Sequence, residues 1–228
     1  MTPASVASLA ARPQVRLAPE ERKRLIVEAA ADFFAEHGFE GGTVDLARRL
    51  GISQPLLYRY FQSKQDLINH VYEHAFPSQQ YYARWLRELD ENAVPLCERL
   101  VRFYCEYADA LLNPKFLRLS IWARLSVADP NAKYTAMLDE EILPRIARAL
   151  RHEVLGARRA RVTPRDMELV QTLHGSIYYV AIRRMHERLA SDVRDIVVSK
   201  VDVFLEWARG TLARRAASRG QPAHGASR

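Results

Sequence analysis

Apolar residues recur at the three-and-four spacing of α-helices along most of the chain, and no stretch alternates apolar with polar as a half-buried strand would. Leu25, Ala29, Phe33 and Phe34 make one such stripe. Pro19 with Glu20 and Glu21 opens its helix, acids at the positive end, and Gly38 closes it. Leu46, Ala47 and Leu50 then share one face of a short helix that leaves Asp45, Arg48 and Arg49 on the other. Gly51 ends it, since a residue without a Cβ accepts the left-handed conformation. Ser53 can cap the next helix and Pro55 sits in its first turn, so that helix begins at about Gln54. Leu57, Tyr60 and Phe61 fall on its packing face, with Pro55, Tyr58, Arg59 and Gln62 opposite. Ser63 and Asp66 have the spacing of a capping box for a further helix, with Lys64 in its first turn. Beyond the break or kink expected at Pro77, helices are predicted over about 78–90, 94–112, 115–127, 132–152, 163–189 and 192–215.

The pattern predicts an all-α fold: an N-terminal three-helix unit over 19–62, then a larger helical domain over 63–215. Residues 1–18 read as a flexible arm, in which Arg12 and Arg16 could reach a minor groove, and 216–228 as a disordered tail. With 228 residues, 48% of them hydrophobic, the chain is ample for a core. No run approaches eighteen apolar residues and no signal-peptide core stands in the first twenty, so the reading is a cytoplasmic protein without a membrane partner.

Two short helices joined at a glycine turn describe a helix-turn-helix, whose second helix lies in a major groove with its N-terminal residues against base edges. The candidate readers are Gln54, Pro55, Leu56, Tyr58 and Arg59. A glutamine can bond adenine bidentately, an arginine guanine or phosphate, and Pro or Leu offers apolar contact to a thymine methyl. An ordinary solvated face in a small bundle would more often carry Glu and Lys. Net charge adds little: the chain carries +7, but residues 1–76 hold nine basic and nine acidic side chains. The local balance says more, with Arg48, Arg49, Arg59 and Lys64 against Asp45 between Thr43 and Lys64.

From about Arg22 to Phe76 the chain resembles the DNA-binding region of the TetR family of bacterial transcriptional regulators. RLIVEAAADFFAEHGF is similar to the family's first helix, LARRLGIS to its second helix and turn, QPLLYRYFQSK to its recognition helix, and DLINHVYEHA to the start of its long connecting helix. The run from Gly51 through Ser53, Tyr58, Phe61 and Lys64 to Leu67 makes the match specific. The resemblance implies phosphate contacts by Thr43 and Lys64, although Gly38 to Ala47 is one residue shorter than is usual in the family. It also implies a C-terminal half that is all-helical, binds a small-molecule effector and dimerises through its last two long helices. The expected partners are therefore double-stranded DNA bearing an inverted repeat, a second copy of the chain and an effector; no cofactor is expected.

The residues of that half agree with the implication. Leu169, Leu173, Ile177 and Val180 on one helix, with Val197, Val201, Phe204 and Leu205 on the next, form long stripes that could close a four-helix bundle with their copies. Burial within one subunit leaves Tyr178, Tyr179 and Trp207 less easily explained. Aromatic residues gather in the middle of the chain. Trp85, Phe103, Tyr104, Tyr107, Phe116 and Trp122, with His174 and Tyr178 from a later helix, are candidates to line an effector cavity, because their polar tips need partners when buried. Core packing accounts for most such residues in any helical protein.

One enzymatic pattern occurs: His70-Val71-Tyr72-Glu73-His74 fits H-x-x-E-H, in which two histidines one turn apart hold zinc and the glutamate activates water. Five-residue patterns arise by chance and no third acidic ligand is evident, so the expectation is a non-enzyme; peptidase activity lost in Glu73→Gln would reverse it. Cys97 and Cys105, eight apart on one predicted helix, are separated by roughly 12 Å of rise and cannot bond to each other.

Overall fold

The computed structural model describes residues 18–75, 79–111, 113–126, 130, 132–156, 161–185 and 192–220, and among these every regular element is a helix. The expected arm, with Arg12 and Arg16, and the last eight residues lie outside the described residues. The chain divides into two compact units, one formed by residues 1–77 with 114–133, the other by 78–113 with 134–228.

The first unit contains α1 (Pro19–His37), α2 (Thr43–Leu50), α3 (Gln54–Tyr58), α4 (Lys64–Ala75) and α7 (Pro114–Arg124). Its core is the α1 stripe of Ile26, Ala30, Phe33 and Phe34, closed by Leu46 and Leu50 of α2, Leu57 of α3 and Leu67 and Val71 of α4. The unit thus extends past the expected boundary at 62. α4 packs on α1, and so does α7, whose Lys115 meets Asp32 of α1 at 2.5 Å. Gly38 ends α1 at φ 74°, ψ 175°, a conformation nearly confined to glycine. A Cβ there would also sit 3.1 Å from the Trp122 ring.

The second unit contains α5 (Gln79–Leu89), α6 (Leu96–Leu111), α8 (Ala132–Ala136), a π-helical stretch Met137–Ile142, α9 (Leu143–Leu155), α10 (Pro164–Arg184) and α11 (Val193–Gly220). Helicity is continuous from Ala132 to Leu155 because the turn widens ahead of Pro144, which has no N–H to donate and would crowd the carbonyl one turn back. α10 starts with a complete capping box. Asp166 N–H donates to Thr163 Oγ1 (3.3 Å), Thr163 N–H donates to Asp166 Oδ2 (2.8 Å), and Arg151 reaches the same carboxylate at 3.0 Å. Burial works to raise this carboxyl's pKa, but the Thr163 hydrogen bonds and the Arg151 charge hold it below the ordinary aspartate value.

Two expectations are corrected in this unit. α11 runs on to Gly220, five residues past its expected end, because the Ala- and Arg-rich sequence after Arg215 holds no helix breaker before Gly220. The residues expected at a dimer interface, Leu169, Leu173, Ile177 and Val180 of α10 and Val197, Val201, Phe204 and Leu205 of α11, are all buried within the single chain. α9, α10, α11 and α6 pack on one another, so these stripes face their own subunit. The large apolar groups left exposed on the same helices are Tyr179 (61%), Val203 (64%) and Trp207 (48%).

Candidate nucleic-acid interface

The reading head is built from local signals. Gly51 closes α2 in the left-handed region at φ 66°, ψ 28°. Ser53, extended, caps α3, its Oγ accepting from Leu56 N–H at 3.3 Å. Leu57 and, one turn on, Phe61 are buried and anchor α3 to the unit. That leaves Pro55, Tyr58, Arg59 and Gln62 exposed on one side, as their spacing predicts, with Gln54, Leu56 and Lys64 half-buried beside them. α3 is five residues long, shorter than expected, and Arg59 and Tyr60 continue it as a turn.

Thr43 sits at the centre of the head. It is 8% exposed, and its Oγ1 lies 2.9 Å from Gln54 Nε2 and 3.1 Å from the Tyr58 hydroxyl. These contacts join the start of α2 to both ends of α3. Spacing points Gln54 and Tyr58 toward DNA and the family resemblance does so for Thr43, but neither signals that the three meet one another across separations of eleven and fifteen residues.

Charge across the head is less one-sided than the residue list suggests. Arg48 pairs with Asp45 at 2.6 Å. Arg49 donates to both oxygens of Glu36, at 2.5 and 3.2 Å. This hydrogen-bonded pairing raises the Arg49 pKa and lowers that of Glu36, so both stay charged and largely offset each other. Among the described residues Arg59 and Lys64 form no salt bridge, and they remain the available cations of the face. Lys64 opens α4, where Ser63 Oγ accepts from Asp66 N–H at 3.0 Å. The return bond of the expected capping box is displaced by one residue: Asp66 Oδ2 accepts from Gln62 N–H, at 2.9 Å.

His70, the first residue of the H-x-x-E-H pattern, has its Nδ1 2.9 Å from the Asp66 carbonyl and its ring edge-on to Phe61. Among the described residues no three His, Cys, Asp or Glu side chains are grouped as metal ligands. No helix of the described residues is long and apolar enough to cross a membrane.

In the second unit, Trp85, Phe103, Tyr104 and Tyr107 come together as a buried aromatic cluster against His174. Tyr134 donates to the Tyr107 hydroxyl at 2.6 Å, and that oxygen is 3.4 Å from His174 Nε2. Trp85 Nε1 donates to Glu106 at 3.0 Å. The Tyr104 hydroxyl meets no hydrogen-bond partner among the described residues, and burial pushes its ionisation up. Tyr178 is half-buried on α10. Phe116 and Trp122 do not belong to this cluster. Both are on α7 in the first unit, where Phe116 packs edge-on to Tyr72 and Trp122 covers Gly38. Their aromatic character made them candidates for the effector cavity without showing which neighbours they meet.

A short capped helix, presented by a glycine turn with its polar side outward, defines a helix-turn-helix protein. Residues 26–71 match the family model described as bacterial regulatory proteins, tetR family. The HTH-type transcriptional regulator LuxR of Vibrio harveyi is 37% identical over 68 residues, which cover 29% of this chain and 33% of LuxR. YhgD of Bacillus subtilis, an uncharacterised HTH-type transcriptional regulator, is 22% identical over 168 residues, 71% of this chain and 83% of its own. The solved structure of the regulator FadR from Bacillus subtilis in complex with stearoyl-CoA superposes with a TM-score of 0.57 at 18% identity, covering 79% of this chain and 96% of FadR, a likeness of fold. Over residues 26–71 the chain is thus similar to the DNA-binding part of the TetR family of bacterial regulatory proteins, and beyond them the likeness to the solved regulators is one of fold.

Proposed function

We propose that this protein is a homodimeric transcriptional repressor that binds an inverted-repeat operator and is released from it by a small-molecule effector. The observation that carries the reading is the α3 face: Pro55, Tyr58 and Arg59 exposed on a capped helix whose other side is anchored by Leu57. Arg59 and Gln54 would contact base edges and Pro55 and Leu56 thymine methyls; Tyr58, a candidate reader by spacing, would instead use its hydroxyl, held beside Thr43, on a phosphate, as would Ser53 and Lys64. Arg48 and Arg49 would support the field of the face while paired to Asp45 and Glu36. Dimerisation would use α10 and α11 through the exposed Tyr179, Val203 and Trp207, because the stripes beneath them are already spent on the subunit's own core.

The buried aromatic cluster around Tyr107 and His174 supports an effector that is mainly apolar and carries one hydrogen-bonding group, for which the unpartnered Tyr104 hydroxyl is a candidate partner. FadR, solved with stearoyl-CoA, makes acyl compounds a rational first set of probes. The effector would act by binding the DNA-incompetent arrangement more tightly than the competent one, since only differential affinity shifts such an equilibrium.

Selection of bound fragments from the source genome tests the DNA reading, with an inverted repeat expected in the retained fragments. A thermal-shift panel of acyl compounds and other apolar metabolites, followed by operator release with each compound that binds, tests the effector. A compound that tightens operator binding would contradict repression by release and leave the DNA reading standing. A panel without shift or release would favour a regulator that acts without an effector.

A further inference from the structure

We infer that Thr43 is a positioning residue for sequence reading: its hydroxyl fixes which end of the Gln54 side-chain amide faces the DNA, so that Gln54 presents its carbonyl oxygen and selects a base carrying an amino group. The inference rests on the reading of α3 as the recognition helix and deepens it.

The argument is one of hydrogen-bond direction. Thr43 Oγ1 has one proton to give and lies within bonding distance of two groups, Gln54 at 2.9 Å and the Tyr58 hydroxyl at 3.1 Å. Two circuits spend that proton within the trio; in a third arrangement Thr43 accepts from both neighbours and the Tyr58 proton is turned inward, away from any phosphate. In one, the Gln54 amide donates to Thr43, Thr43 donates to Tyr58, and the Tyr58 proton is left to point outward. In the other, Tyr58 donates to Thr43, Thr43 donates to the Gln54 carbonyl, and the Gln54 amide nitrogen faces out. A phosphate oxygen only accepts, so an exposed Tyr58 that contacts the backbone must donate to it. Backbone contact therefore selects the first circuit.

In that circuit Gln54 Oε1 is turned to the groove. An acceptor there pairs with adenine N6 or cytosine N4, whereas an outward amide nitrogen would donate to the O6 and N7 of guanine. Thr43 is 8% exposed, so little water competes for its hydroxyl and the choice is held by the protein. A contact that carries no sequence information, Tyr58 on phosphate, thereby sets the polarity of a contact that does.

The experiment is selection from a pool of randomised duplex DNA, followed by equilibrium binding of the selected duplex with each of the four bases at every position. Full-length protein is used, with Thr43→Val, Thr43→Ser and Tyr58→Phe as variants. The wild type should favour A or C over G or T at one position of each half-site by roughly tenfold. Thr43→Val should flatten that position alone, and Thr43→Ser should keep the preference. Tyr58→Phe, which keeps the exposed ring, should also flatten it, because the Thr43 proton then turns to Gln54. The inference is overturned if Thr43→Val or Tyr58→Phe keeps the preference, or if Thr43→Val weakens all sequences equally with a shallower salt dependence, the mark of a direct phosphate contact. Wild-type protein that binds no duplex at low salt would overturn the DNA reading itself, a result distinct from all of these.

Discussion

α3 is five residues long and is anchored by Leu57 and the neighbouring Phe61, whereas α10 and α11 run for 21 and 28 residues and bury apolar stripes deep in their unit. A five-residue helix has no stability of its own. It exists because Gly51, Ser53 and Pro55 set the chain's direction and two apolar groups hold it down. The long helices are fixed by mutual packing, and their ends matter less. Local signals therefore govern the part of the molecule proposed to read DNA, and distributed packing governs the part proposed to assemble.

The largest expected effect lies in the assembling part. Leu173→Ala should cost about 3 kcal/mol of unfolding free energy at any protein concentration, because Leu173 is buried in its own subunit. Val203→Glu with Trp207→Ser should leave subunit packing intact and shift the proposed dimer to monomer, read by sedimentation. Stability falling with dilution in Leu173→Ala alone would break this division of roles.

Next comes the cap of α10. Asp166→Asn should cost about 2 kcal/mol, since it weakens the capping box and leaves the Arg151 guanidinium without its carboxylate. The folded carboxyl titrates below its unfolded value, so its stabilisation is present above the unfolded pKa and is lost as pH falls through the folded one. The gap between wild type and Asp166→Asn in thermal melts should therefore close in acid.

In the reading part, Gly51→Ala should cost about 1 kcal/mol through the left-handed φ of 66°. Its loss of operator affinity should exceed its loss of stability, because the turn aims α3. Smallest of all, Lys64→Ala should leave the melting temperature unchanged and reduce the slope of log affinity against log salt by about 1, equally for all sequences.

The same contrast explains what was legible beforehand. Both ends of α1, the end of α2 and the start of α3 were readable because Pro19, Gly38, Gly51 and Ser53 act within a turn of where they stand. The outward stripe of Pro55, Tyr58, Arg59 and Gln62 was readable for the same reason. The Thr43 contacts with Gln54 and Tyr58, and the pairing of Arg49 with Glu36, were not, since they cross the turn between separate helices. Periodicity showed that α10 and α11 each have an apolar face, but it cannot say whether that face meets the same chain or a copy. Phe116 and Trp122, expected beside the other aromatics at an effector cavity, stand apart from them for a related reason: composition marks an aromatic without naming its neighbours, and α7 packs on α1, with Phe116 buried and Trp122 part-exposed.

The most direct test of the account is titration of the selected operator duplex with the protein, followed by footprinting of the complex. The account predicts equivalence at two chains per duplex and two protected half-sites in inverted orientation, their centres roughly one helical turn or a multiple of it apart. Saturation with one chain on a single half-site, or protection that survives reversal of α3's exposed charge in Arg59→Glu, would contradict it.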